Sequence, residues 1–306
     1  MNQSSITNDV HDFVTSHIIK QLSDGIVPWK IIWIGNGQPQ NMLSGKKYRG
    51  INTWLLLGHG FSQNFFMSEE QIKQLGGSIR PSEVGYPVIY WTTLEGQEIL
   101  SIQSILVYNI DQCKNIPENK IPSLATEDST PVKKCRELIA QMPNPPTIVH
   151  EEEDTLYYDP EKDYIQIPPM AKFESIELYY KTLFSELVRS AFHPSRLVKQ
   201  EIEIKQLNAE LFTLESLVAE MGSTYLASLT GLNCPIIDEQ GSFKKAWIET
   251  FKEDKFLLVK AGTLAQRAVD YIIGDVVNSE VQQHKQAVLP IEEEKPNSGQ
   301  RKEPDF

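Results

Sequence analysis

The first ordered pattern in the chain is helical. Phe13, Val14, Ile18, Ile19 and Leu22 fall on one face of a 3.6-residue repeat that stops near Gly25, so residues 12–22 read as a short amphipathic helix. An irregular stretch begins at Val27-Pro28-Trp29-Lys30. The mainly apolar run Ile51-Asn52-Thr53-Trp54-Leu55-Leu56-Leu57, closed by Gly58, predicts a buried helix. Ser68-Glu69-Glu70-Gln71 has the layout of a capping box, and the helix that it starts closes at Gly76-Gly77. Residues 87–91 and 102–109, rich in β-branched and aromatic side chains, read as strands.

Residues 115–131 are rich in Pro, Asn, Ser and Thr and read as a linker. A helix over 132–142 is stopped by Pro143-Asn144-Pro145-Pro146. Leu156-Tyr157-Tyr158 and Tyr164-Ile165-Gln166-Ile167 flank the turn Asp159-Pro160-Glu161-Lys162-Asp163 and predict a strand, turn and strand. Three helical stretches follow, over 173–192, 211–229 and 243–273. Residues 279–306 are polar, carry the run Glu292-Glu293-Glu294-Lys295, and read as a disordered tail. The expected class is α+β: a mixed module over 1–115, a linker and connecting helix over 116–146, and a mostly helical module with a small sheet over 147–278. No internal repeat is found.

Composition changes this picture in two places. The 306 residues are 40% hydrophobic, which suits a soluble chain of two modest domains. No run reaches the length of a membrane span, and the polar start lacks the pattern of a signal peptide. Three widely spaced cysteines, Cys113, Cys135 and Cys234, form neither a disulfide framework nor a metal motif, so the expected setting is a reducing cytoplasm with no membrane partner. The net charge of −12 argues against nucleic acid, but it is unevenly spread: residues 1–125 hold 9 basic and 10 acidic side chains. From Gly25 to Ser68 there is no acid, while Lys30, Lys46, Lys47 and Arg49 all lie there. That makes a local positive patch the expected feature of an acidic protein.

The window Phe184-Ser185-Glu186-Leu187-Val188-Arg189 carries the second piece of chemistry. In a His-Glu-x-x-His helix, imidazoles four residues apart grip one zinc ion, and the intervening glutamate polarises its water. Here Glu186 is kept, but Ser185 and Arg189 stand at the two histidine positions. Serine is a poor zinc ligand and arginine repels a cation. Ser185 lacks a nucleophile elbow and has no base evidently placed to activate it. His11, His17 and His59 are isolated and read as structural or surface residues.

Taken in order, these motifs resemble the ArdC-type antirestriction proteins of plasmids and phages. The N-terminal pattern is similar through Pro28-Trp29, the stretch from Gly45-Lys46-Lys47-Tyr48-Arg49-Gly50-Ile51-Asn52 to Leu57, Gln74 to Gly85, Val88-Ile89-Tyr90-Trp91 and Val107 to Cys113. Later matches are Tyr157-Tyr158, the helix around Glu186, His193-Pro194-Ser195-Arg196-Leu197, Glu215 to Glu220, Trp247 to Lys255 and Ala268-Val269-Asp270-Tyr271. Together they run from about residue 12 to about 274. The resemblance implies an N-terminal module that binds single-stranded DNA, joined to a zincin-like metallopeptidase module.

Single-stranded DNA needs cations for its phosphates and flat side chains under its bases. The candidates are Lys46, Lys47, Arg49 and Arg80 for phosphate, Tyr48, Trp29, Trp33 and Trp91 for stacking, and Asn52 for a hydrogen bond. Trp54, among leucines, reads as core, and a Lys-Lys pair in a turn is more often simply solvated surface. For the metal site, the resemblance places a third ligand, an acidic residue on the following helix, at Glu220. A rescue set of Glu186, His193 and Glu220 would take Glu186 away from its role as base. The more economical expectation is no catalysis and no zinc, with Arg189 either pairing Glu220 or Glu186 in the place of the ion or lying as a simple surface residue of the helix. The expected function is an antirestriction-like, single-stranded-DNA-binding protein that carries an inactive metallopeptidase-like module and protects mobile DNA, by coating the strand or by occupying a host restriction enzyme. A metal-dependent peptidase with non-standard ligands and a pure protein-interaction module remain alternatives.

Overall fold

The computed structural model describes residues 3–33, 35, 37–93, 100–123, 130–197, 213–234 and 241–275. The N-terminal part opens with α1 (Gln3–Ser23), passes through a 3₁₀ turn at Pro28–Lys30, and reaches β1 (Gln40–Asn41), α2 (Ile51–Leu55), β2 (Phe65–Ser68), α3 (Glu69–Gln74), β3 (Ser78–Ile79), β4 (Tyr86–Thr93), β5 (Leu100–Asn109) and β6 (Cys113–Lys114). The main sheet has the order β1-β2-β5-β4, with β1 parallel to β2 and the other pairs antiparallel; β3 and β6 form a separate two-stranded ribbon. The capping box of α3 forms as its sequence dictates: the Ser68 hydroxyl accepts from the Gln71 amide, and the Gln71 carboxamide oxygen accepts from the Ser68 amide.

The second part runs through α4 (Pro131–Gln141), β7 (Thr147–His150), β8 (Tyr157–Asp159), β9 (Tyr164–Ile167), α5 (Ile176–Ser190), α6 (Leu214–Thr230), α7 (Gly241–Glu253) and α8 (Leu257–Ile272). Its sheet, β7-β9-β8, is turned by Asp159, whose carboxylate accepts from the amides of Glu161 and Lys162, and by Asp163 at φ 54°. α5 is capped by Ser175 and α6 by Thr213, and α6 stops at Gly231 in the left-handed region that glycine tolerates. Arg196, buried just past α5, grips Asp163 with its two terminal guanidinium nitrogens, each at 2.8 Å, and also donates to the carbonyls of Asn144 and Ser190. This four-bond anchor fixes the end of α5 against the β8–β9 turn.

The fold is α+β as the pattern predicts, but the two parts share one core. Val14, Ile18 and Leu22 of α1, Trp29, Trp33, and Ile51, Trp54 and Leu55 of α2 pack in the same apolar cluster as Leu217 and Leu226 of α6, Trp247 of α7 and Leu258, Leu264 and Val269 of α8. Two smaller clusters serve the N-terminal sheet. One of them takes in Ile116 and Ile121, so the expected linker over 115–131 begins as chain folded onto that sheet. The helix expected over 243–273 is two helices. Asp254 breaks it, its carboxylate accepting from the Phe256 amide at 2.9 Å, a local bond that competes with helix continuation. The tail expected to be disordered over 279–306 lies outside the described residues. Among the described residues no helix is long and apolar enough to cross a membrane.

Candidate functional site

α5 presents the altered peptidase window along its inner face. Glu186 is buried, and Ser185 and Arg189 are partly covered. The Arg189 guanidinium lies 3.4 Å from the Glu186 carboxylate through Nε, and its Nη1 donates to Glu215 in the first turn of α6. Burial pushes the Glu186 carboxyl above the ordinary carboxylate range, and the Arg189 charge is the largest influence opposing it. Glu220, the expected third ligand, accepts a 2.8 Å hydrogen bond from the Trp29 indole. His193 is turned to its own loop, where its Nδ1 meets the Ser195 hydroxyl at 2.7 Å and the Ser195 amide at 3.2 Å.

Ser185 and Arg189 offer a divalent ion no imidazole, and the Arg189 charge repels one. Among the described residues no three His, Cys, Asp or Glu side chains converge as a set that could hold a metal, so the rescue set of Glu186, His193 and Glu220 is not brought together. The expected pairing of Arg189 is met by Glu186; Glu220 is not its partner, and Glu215 takes that place. The periodicity of α6 could have suggested Glu215, an acid at a helix start, but not the rotation that aims it at α5.

The stacking candidates on the N-terminal side are redirected inward. Trp29 is fully buried, edge-on to Trp247 and Phe251 at ring separations of 5.9 and 5.8 Å. Trp33 packs edge-on against Tyr225 at 4.9 Å. Tyr48 lies in the cluster of Leu56, Phe66, Val88 and Val107, where burial pushes its phenol up to about 12. Asn52 spends its carboxamide on the Ile89 amide and carbonyl of β4, at 2.8 and 2.7 Å, as a staple between α2 and the sheet. None of these four is an open platform for a base; the rings of Trp29 and Trp33 are worth more against the shared core, and that of Tyr48 against the sheet cluster, than in water. Trp54 is core, as its leucine neighbours predict. The side chain of Trp91, which lies on β4, is outside the described residues.

The cations divide in the same way. Arg49 pairs with Asp270 of α8, and Asp270 also accepts from Gln266, whose own oxygen takes the Gly50 amide at 3.1 Å. Burial raises the Asp270 carboxyl above its usual range, with Arg49 opposing. Next to this pair Gln38 bridges the Tyr48 carbonyl and the Tyr225 hydroxyl. Arg49 is thus a clamp between the two parts. An acid–amide pair one helical turn apart inside the apolar α8 was its signal in the sequence. Lys46 and Lys47, by contrast, are exposed, on a loop held by the bridge between Gln40 and Lys47 and by the Asn41 carboxamide, which accepts from the Leu43 and Ser44 amides. Arg80 is also exposed, its Nε donating to the Asp111 carbonyl at 3.2 Å.

Comparison with known proteins gives these sites a context. Residues 8–120 match the family described as the N-terminal domain of anti-restriction factor ArdC, and residues 137–264 match the family described as zincin-like metallopeptidase. The fold superposes on the crystal structures of the antirestriction protein ArdC from plasmid R388. The Mn(II)-bound form is 30% identical, with 88% of this chain and 98% of that one covered at a TM-score of 0.69. The metal-free form is 29% identical at the same score and coverage. Two Escherichia coli proteins named DNA primase TraC are each 26% identical, over 94% and 86% of this chain but only 29% and 20% of their own length. The protein y4eC of Sinorhizobium fredii is 21% identical over 86% of this chain and 91% of its own.

Proposed function

Because the chain belongs to the ArdC family of antirestriction proteins, with an ArdC N-terminal domain and a zincin-like domain in sequence, we propose that it binds single-stranded DNA and performs no metal-dependent hydrolysis. The observation that carries the DNA half is the exposed Lys46-Lys47 loop, held at both ends and set in a stretch of chain with no acid. Arg80 adds a third exposed cation. With the candidate aromatics Trp29, Trp33 and Tyr48 committed to the core, recognition is led by phosphate contacts, so binding is steep in salt and indifferent to base sequence.

The hydrolytic half fails on its residues. A zincin reaction needs ligands that leave a position open for water and a glutamate free to take its proton. Here Arg189 occupies that glutamate, and Glu220 is held by Trp29. Zinc therefore has no set of ligands on α5. The acidic second part, which carries most of the net charge of −12, offers a surface that competes with DNA for a basic host nuclease, a partner this reading also admits.

The test is titration of fluorescent single- and double-stranded oligonucleotides over a salt series. Wild type is expected to bind the single strand, with affinity falling steeply as salt rises. The folded K46A/K47A variant is expected to bind more weakly, with the slope of log K against log salt shallower by about 0.7 for each phosphate that the variant leaves unneutralised. Unchanged affinity and slope in that variant would remove the loop from the DNA surface.

A further inference from the structure

We propose that Arg189 is a cation built into the chain in place of a metal ion, bridging α5 to α6 through two carboxylates. The proposal rests on the non-hydrolytic half of the proposed function. Ser185 and Arg189 are one helical turn apart and share a face of α5, so in a two-histidine helix an ion would sit over that turn, beside Glu186. The guanidinium fills that neighbourhood. Through Nε it faces Glu186 on its own helix, and through Nη1 it reaches Glu215 on the next. A single side chain thus makes the cross-helix tie that a metal makes when ligands on two helices share it.

The surroundings support a tie that holds the two helices together. Gly222 of α6 lies so close to Val188 of α5 that an added Cβ would meet the Val188 methyl at 2.6 Å, so the valine neighbouring Arg189 packs directly onto the α6 backbone. Both acids are largely shielded, with side-chain exposures of 9% for Glu186 and 19% for Glu215, so the charges are screened little by solvent. Without Arg189 two carboxylates would face one another across this gap with no cation between them. A guanidinium and a divalent ion also exclude each other here, by volume and by charge. The side chain that makes the site unfit for metal is therefore the one that makes the metal unnecessary.

The experiment uses the full-length protein, with metal content measured after dialysis against Mn²⁺ or Zn²⁺ and thermal melts run with Mn²⁺, with chelator, or with millimolar guanidinium. Wild type is expected to retain no ion and to melt at one temperature in all conditions. R189A is expected to melt roughly 5–10 °C lower. Part of that loss should return with Mn²⁺ or guanidinium, either of which can occupy the vacated gap between Glu186 and Glu215. An R189A protein that melts like wild type, or that neither cation restores, overturns the bridge and leaves the non-hydrolytic reading standing. One equivalent of ion retained by wild type overturns both. Should R189A fail to fold, E215Q carries the test: it removes one carboxylate but leaves a charge pair, so a lowered Tm supports the bridge and a wild-type Tm sinks it.

Discussion

His17 on α1 faces His59, whose ring is 5.9 Å away and itself 3.9 Å from the ring of Tyr86 on β4; Gln21 and Lys20 complete the neighbourhood. Burial, then the proximity of His59 and Lys20, lowers the His17 imidazole to about 4, and burial lowers His59 as well. The native state therefore keeps His17 neutral, while the unfolded chain takes up a proton below its ordinary value near 6.5. Stability is held above pH 6.5, falls as pH drops from 6.5 towards about 4, and no longer depends on His17 below that. Urea unfolding across this range should show a shallower acid limb for H17Q than for wild type; identical limbs would acquit the residue. The sequence showed a lone histidine on a helix, which is the bland reading, and nothing in one helix tells what its neighbour will be. The same limit governed Trp29, Tyr48 and Arg49. Their chemistry was legible, but the direction in which each points is set by partners far along the chain, about 190 residues away for Trp29 and 221 for Arg49.

Elements were read well where their signals are local. The Ser68–Gln71 box, the proline stop after α4 and the turn at Asp159 all act within a few residues, and all form. The two-residue strands β1, β3 and β6 were invisible because strands so short exist only through their pairing. The break between α7 and α8 was missed because Asp254 lies in an otherwise continuous helical pattern, where only its bond to the Phe256 amide ends the helix. How closely elements approach is also absent from periodicity. Gly262 of α8 touches the start of α2: an added Cβ would lie 2.7 Å from the Ile51 amide nitrogen and 2.9 Å from its Cα, both backbone. G262A should therefore push two elements apart at a cost of about 1–3 kcal/mol. G222A, whose obstacle is the Val188 side chain, has a neighbour better able to yield. Denaturant melts of the two variants should rank them in that order, and the reverse ranking would contradict the close approach of α2 and α8.

At the scale of the whole molecule, motif order suggests a division of the chain near residue 115, and the two family matches cover residues 8–120 and 137–264. The core does not respect that division. Arg49 reaches Asp270, Trp29 reaches Glu220, and Thr15 donates to the Lys255 carbonyl, so the first part is stitched to α6, to α8 and to the turn between α7 and α8 by groups that burial makes expensive to leave unpaired. Residues 1–123 expressed alone should consequently expose Trp29, Trp54 and the inner face of α1. They should bind a hydrophobic dye and unfold without a cooperative transition. A sharp two-state melt of that fragment would show that the shared core is dispensable.

The ion pair of Asp12 with Lys255, 243 residues apart, has a meaning in time as well as in space. α1 packs against α7 and α8, the last helices described, as well as against α2 and β5. During synthesis α2 and β5 can cover part of it early, while the part that meets α7 and α8 must wait for the intervening chain to follow. Loop closure over such a separation slows folding and leaves the early chain exposed to association and to chaperones. The seat of α1 is thus completed only when helices far downstream of it arrive.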